Sequence, residues 1–299
     1  MKNSLGVLLL LSGFVFATAP LSALAAPPTA TVKKILAQGV PTEALTRMIT
    51  FMDDNRGRTF NQDTYTCEGR DPESVRPCEE HKRRRSSKTV TVNGATYVAI
   101  VDYGVPSSQR RFYFINLKTG EVQKFYAAHG QGSGKGEMAT RFSNVKDSRQ
   151  TSLGMYLTGE TYSGGYGITL RMYGLERSND QAYNRDIVMH GAWYVSEDFM
   201  NSINRKTGEK YGRMGLSWGC PAVSLAIAER TIPYLKNGSL ILHYHPSMNS
   251  SAVKPRISPP VTKAPVLDSE NTEAPQNPPP QETSNSEFDG ASPEYLSGL

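Results

Sequence analysis

Apolar positions change their spacing several times along the chain. An apolar run from Leu5 to Phe16 follows Lys2 and gives way to small residues ending in Ala23-Leu24-Ala25-Ala26. Between Thr42 and Asp53, Leu45, Met48, Ile49 and Met52 recur at three- and four-residue intervals, the spacing of one helix face. Pro41 stands where a helix begins, and residues 29–53 as a whole read as helical. Polar and turn-forming residues then dominate to position 88, a stretch read as a solvated loop ending in His81-Lys82-Arg83-Arg84-Arg85. From Thr89 the period falls to two. Val90 and Val92, the Asn93-Gly94 turn and Tyr97–Val101 predict one hairpin; Arg111–Leu117 and Val122–Ala128 around Lys118–Gly120 predict another. Leu153–Leu157, Ile168–Tyr173, Ile187–Met189 and Ser239–Tyr244 are further predicted strands. Ser196–Ile203 and Leu225–Lys236 are predicted helices, the second stopped by Asn237-Gly238. The expected fold is therefore mainly β with a few short helices, centred on residues 89–247.

Composition adds the flanks. Nine of the 19 prolines lie in the last 50 residues among Ser, Glu, Asn and Thr, so 248–299 is expected to be a disordered, Pro-rich, acidic tail. Residues 27–249 carry 29 basic and 21 acidic side chains, a modest excess without a long stripe, and nucleic acid is not indicated as a partner. The basic start, short apolar centre and A-x-A end of residues 1–26 describe a cleavable secretory signal. That run is shorter than the about 20 residues a membrane span needs, so no stable membrane span is expected and export to the periplasm or cell-wall space is. In such an oxidising compartment Cys67 and Cys78, 11 apart in a turn-rich stretch within the 27–88 region, are expected to pair. The third cysteine, Cys220, is then left alone: inert in a core, paired between chains, or chemically employed.

Cys220 sits in a glycine-rich bend, Gly215-Leu216-Ser217-Trp218-Gly219-Cys220-Pro221, ahead of a predicted helix. His190 closes an apolar strand and is followed by Gly191. A thiol nucleophile needs a base, because at a pKa of about 8.5 it is mostly protonated at neutral pH. A neighbouring imidazole takes that proton and returns it to a leaving amine. Pro221 has no N–H, so backbone donors for an oxyanion come from the Ser217–Cys220 bend.

The pair His190-Gly191-Ala192-Trp193-Tyr194-Val195-Ser196 and Ser217-Trp218-Gly219-Cys220-Pro221-Ala222-Val223 resembles the murein L,D-transpeptidase catalytic-domain family. Ala128–Gly134, Arg141–Asn144, Ser152–Gly154, Gly159–Gly167 and Gly174–Glu176 with Asn179, Asp180 and Arg185 fit the same pattern in order, so the resemblance spans most of 95–245. It implies a β-rich, cofactor-free acyltransferase acting on peptidoglycan stem peptides, with Cys220 as nucleophile and His190 as general base and acid. It further implies that the Gly191 carbonyl orients the imidazole and that Ser217 and Gly219 belong to the oxyanion bend. Two positions depart from the family pattern: Trp218 stands where a second histidine is usual, and Ala222 where arginine or asparagine is. Within the narrower branch, Leu216 replaces a common arginine, which moves carboxylate binding to Arg213. Trp218 as a pocket wall, His129 in its glycine-rich loop and Tyr194 complete the candidate substrate contacts. Three other readings stand beside this one: an L,D-carboxypeptidase or hydrolase using the same site, a zinc peptidase using His190, His243 and His245, and an inactive wall-binding scaffold. No oligomeric state is legible.

Overall fold

Alternate residues of the central strands face two different cores, and this two-sided burial organises the molecule. The computed structural model describes residues 26–249; residues 1–25 of the expected signal and 250–299 of the expected tail lie outside the described residues. Strands β3 (Tyr97–Asp102), β4 (Phe112–Asn116), β5 (Val122–Phe125), β6 (Gly154–Gly164), β7 (Gly167–Gly174), β8 (Val188–Gly191), β9 (Ala222–Val223) and β10 (Leu240–Tyr244) form one sheet. Their order is β5-β4-β3-β10-β6-β7-β8-β9, antiparallel except for the parallel pairs β3–β10 and β8–β9. Val98 and Ile100 of β3 and Leu240 and Leu242 of β10 meet Leu45, Met48 and Phe51 of α2 (Thr42–Asn55) and Ile35 of α1 (Thr29–Ala37). Ala99, Val101 and Ile241 face the other way, against Ala228, Ile232 and Leu235 of α3 (Leu225–Leu235). At about 1.5–3 kcal/mol per fully buried aliphatic side chain, covering both faces is what makes the sheet stable. The N-terminal helices are thus part of the sheet's own core.

Three expectations are corrected. The helical stretch 29–53 is two helices, broken where Gly39 takes φ 80° before Pro41. The stretch 54–88 is not all loop: an antiparallel ribbon, β1 (Thr59–Cys67) against β2 (Arg83–Thr91), flanks a turn-rich connection, with nine residue pairs from Thr59↔Thr91 to Cys67↔Arg83. Arg83, Arg84 and Arg85 of the basic run are therefore strand residues, and the expected boundary at 88 falls inside β2. For the same reason the hairpin expected across Asn93-Gly94 does not form: β2 is taken by β1, and β3 pairs with β4 and β10. The second hairpin is present as β4–β5. Cys67 and Cys78 are disulfide-bonded. Among the described residues no helix is long and apolar enough to cross a membrane.

Candidate active site

The site is assembled at the β8–β9 edge of the sheet. Parallel pairing sets His190 opposite Ala222 and Gly191 opposite Val223, so Cys220 lies two residues before the partner of the histidine. The other side of this segment is held by the glycine-rich loop: the Ala128 amide donates to the Ala222 carbonyl (2.8 Å), Ser217 to His129 (2.9 Å) and Gln131 to Ser217 (2.8 Å). Ser217 ties the bend internally. Its Oγ accepts from the Gly219 amide (3.2 Å) and donates to the Cys220 carbonyl (2.7 Å). The Gly219 amide is thereby committed, whereas that of Cys220 takes no protein partner among the described residues. Gly219 has φ 117°, and a Cβ there would stand 2.8 Å from the Gln150 carbonyl oxygen, so the bend requires glycine.

His190 is half-buried, its ring stacked at 6.1 Å on Tyr166 from the β6–β7 turn. Nδ1 donates to the Gly191 carbonyl (2.7 Å), which leaves Nε2 as the basic nitrogen of the neutral ring. Burial pulls its pKa below the ordinary histidine value, and the bond to Gly191 opposes that pull. The Cys220 thiol is half-buried and donates to the Asp186 carbonyl (3.6 Å). Burial pushes it up to about 11, against a contact from the Val188 amide that lowers it. Sulfur and imidazole thus sit on adjacent segments, each hydrogen-bonded to a backbone carbonyl rather than to the other.

Cys220 opens onto a cleft of about 440 Å³; His190 is not among the residues lining it. Four cations border the cleft, Arg83, Lys146, Arg149 and Arg185, with three carboxylates, Glu80, Asp147 and Asp186. Arg83 pairs with Asp186 (2.5 Å) and Lys146 with Glu80. Arg185 spends its guanidinium on the Ser143 and Gln150 carbonyls and two serine hydroxyls, and Arg149 lies over the Trp218 ring at 4.6 Å; neither forms an ion pair among the described residues. Of four non-glycine residues with positive φ among those described, three line this cleft: Asp147 (60°), Arg149 (52°) and Asp186 (53°). Backbone held in sparsely populated conformations costs about 1–3 kcal/mol per residue and gathers at functional sites.

The remaining expected contacts divide. Trp218, 59% exposed, does form a cleft wall. His129 does not: it is 0% exposed, its Nδ1 accepting from Arg111 (2.8 Å) and its Nε2 donating to the Gly134 carbonyl (3.2 Å). Tyr194 is buried against Gly215, where a Cβ would come within 2.5 Å of its ring, so it braces the bend instead of facing substrate. Arg213 lies off the cleft, donating to the Met214 carbonyl (2.9 Å) beside the Tyr211 ring. Leu216 is half-buried and Ala222 wholly buried opposite His190. The zinc arrangement is not formed. His243 is buried between Tyr103 and Tyr156 and donates to the Ser152 carbonyl (2.9 Å), His245 turns to Ser247, and no group of three potential ligands gathers among the described residues. Asp186, Arg171, which donates to the Asp186 carboxylate (3.0 Å), Arg149 and Tyr166 carry no signal in the sequence. Nothing in their spacing marks them, because each reaches the site from a different strand or loop.

The family profile described as the L,D-transpeptidase catalytic domain matches residues 77–244, more than half of the chain. No curated protein matches. Among solved structures, similarity extends to an L,D-transpeptidase from Mycobacterium smegmatis (TM-score 0.30, 14% identity, 53% of this chain and 63% of that one). It extends also to Mycobacterium tuberculosis L,D-transpeptidase 1 (TM-score 0.27, 12% identity, 53% and 66%). A third is the LD transpeptidase LdtMt1 in complex with imipenem (TM-score 0.31, 12% identity, 69% and 86%). This chain spans less than two thirds of the first two proteins' length. The match over 77–244, which takes in both His190 and Cys220, carries the assignment: this chain belongs to the L,D-transpeptidase catalytic-domain family.

Proposed function

We propose that this protein is an exported, peptidoglycan-modifying L,D-transpeptidase that works through a thioester on Cys220. The observation that supports the reading is the β8–β9 pairing, which brings the segment of Cys220, a half-buried residue lining the cleft, alongside His190, whose Nε2 is the basic nitrogen. At neutral pH both groups are uncharged, since burial raises the thiol and lowers the imidazole. Attack therefore begins with the thiol leaving the Asp186 carbonyl and turning to His190 Nε2, which takes its proton as sulfur adds to the carbonyl carbon of the L-centred residue. The Cys220 amide receives the oxyanion. Collapse breaks the C–N bond to the terminal D-amino acid, His190 returns the proton to the departing amine, and a thioester remains. An amine from a second stem then takes the acyl group and restores the thiol; water in the same place gives the carboxypeptidase reaction. Arg149 and Arg185, the cleft cations without a carboxylate partner among the described residues, supply charge complementary to an acidic stem peptide.

Intact-mass analysis after exposure to a carbapenem, with muropeptide incubation beside it, tests this. The expected results are one adduct on Cys220 and a new crosslinked or shortened muropeptide. Muropeptide binding with no adduct and no mass change supports the scaffold instead and sinks the proposal.

A further inference from the structure

The Cys220 thiol does not rest on its own loop. Its hydrogen bond goes to the main-chain carbonyl of Asp186, a residue in the left-handed region at φ 53°. That conformation is uncommon for a non-glycine residue and needs support from its surroundings. The support is the carboxylate. Oδ1 accepts from Arg171 (3.0 Å) and from the Tyr65 hydroxyl, and Oδ2 from Arg83 (2.5 Å). Arg171 is itself fully buried, with Nε donating to the Val75 carbonyl (2.7 Å) and a further bond to Tyr65 (2.9 Å). Arg83 also donates from Nε to the Cys78 carbonyl (3.0 Å), the disulfide-bonded residue at the end of the same loop. Tyr65 and Val75 precede the segment that matches the family, and Arg83 lies near its start. The polar ribbon therefore reaches across to clamp one carboxylate, whose own backbone holds the sulfur.

We propose that Asp186 is a positioning residue for the Cys220 thiol, and that Tyr65 and Arg83 of the disulfide-tied ribbon, with Val75 of the loop between its strands bracing Arg171, hold Asp186 in place. The inference rests on Cys220 being the reactive thiol and goes beyond it in making the ribbon part of the site. Released from the clamp, the Asp186 backbone relaxes out of the left-handed region and its carbonyl leaves the sulfur. The protonated thiol then loses an acceptor and, in charge-removing variants, a nearby negative charge, and both changes favour the thiolate. The pH at which the sulfur becomes reactive falls, while the disordered nucleophile turns over more slowly.

Cys220 is the one cysteine outside the Cys67–Cys78 disulfide, so alkylation of the full chain by iodoacetamide reports it alone. The rate is followed against pH for the wild type, Asp186→Ala, Asp186→Asn and Tyr65→Phe. Both Asp186 variants should move the profile to lower pH by about one unit, Ala more than Asn because Asn tolerates the left-handed backbone. Tyr65→Phe should move it the same way by less. On a stem-peptide donor the variants should lose kcat by about tenfold or more with KM nearly unchanged. Should Asp186→Ala fail to fold, Tyr65→Phe and the double variant Cys67→Ser/Cys78→Ser decide the matter. Folded variants that all keep the wild-type alkylation profile overturn the proposal. Because alkylation needs no peptidoglycan, a wild type that labels normally but turns over no stem peptide counts against the acyl-transfer reading alone.

Discussion

Histidine occurs in two contrasting settings in this molecule. His129 and His243 lie in the interior, both wholly buried, one held by Arg111 and the Gly134 carbonyl, the other by the Ser152 carbonyl between two tyrosine rings. His190 lies on a strand near the sheet edge, half-buried, with one nitrogen tied to Gly191 and the other left basic beside the segment that carries Cys220. Burial depresses all three pKa values, to about 3 for His129 and about 4 for His243. A shifted pKa is therefore no guide to which histidine does chemistry. A free nitrogen does not separate them either, since His243 Nε2 also has no hydrogen-bond partner among the described residues; what sets His190 apart is its place alongside the segment that carries Cys220, and that is a property of strand pairing.

The sharpest way to break the contrast is to remove the sulfur. Cys220→Ala should reduce turnover to background and abolish the carbapenem adduct while leaving the circular dichroism spectrum unchanged. Persistent activity in that variant would mean the chemistry lies elsewhere. Substitution of the histidines by glutamine comes next. His190→Gln should cost about 10²–10⁴-fold in kcat with little change in melting temperature. His129→Gln and His243→Gln should show the reverse pattern, losing about 1–3 kcal/mol of stability from disturbed buried polar groups while the folded fraction keeps its kcat. Equal kinetic losses in all three would erase the distinction between the two settings.

Acid separates the two settings as well. His129 and His243 have folded pKa values below that of the unfolded chain, so the unfolded state binds more protons once the pH drops under about 6.5. Their contribution to stability is complete above that value and is lost as pH falls toward 4, which a series of thermal melts should register as a falling Tm. The acid limb of kcat/KM, set by protonation of His190, should lie below the ordinary histidine range; a limb at or above 7 contradicts its burial. The smallest effect expected is at the cleft wall. Arg149→Ala should raise KM about tenfold for donors with a free terminal carboxylate, the loss of about one charge-assisted hydrogen bond, and leave amidated donors unaffected. Arg213→Ala, off the cleft, should change neither.

Much of the sheet was legible because its strands alternate between two apolar faces: Val98 and Ile100 toward one core, Ala99 and Val101 toward the other. The β1–β2 ribbon was not. Arg83–Thr91 reads Arg-Arg-Arg-Ser-Ser-Lys-Thr-Val-Thr, almost without apolar positions, and its strand character comes from nine backbone pairs with β1 rather than from any buried face of its own. Periodicity detects burial, so a strand held mainly by backbone hydrogen bonds passes for a loop. The candidate site divides in the same way. Cys220, His190 and the bend around Gly219 announce themselves by residue type and local glycine pattern. Asp186, Arg171 and Arg149 are ordinary charges in sequence and gain meaning only from what they face.

The amino-acid order by itself determined the chemical species available, one unpaired thiol and a few imidazoles, and the local backbone able to present them. Which imidazole stands beside the thiol, which arginines reach the cleft, and which carbonyl holds the sulfur were decided only when distant strands paired. The physical reason is that side-chain identity and turn propensity act over a few residues, whereas desolvation, hydrogen-bond partners and ion pairs depend on neighbours contributed by segments far apart along the chain.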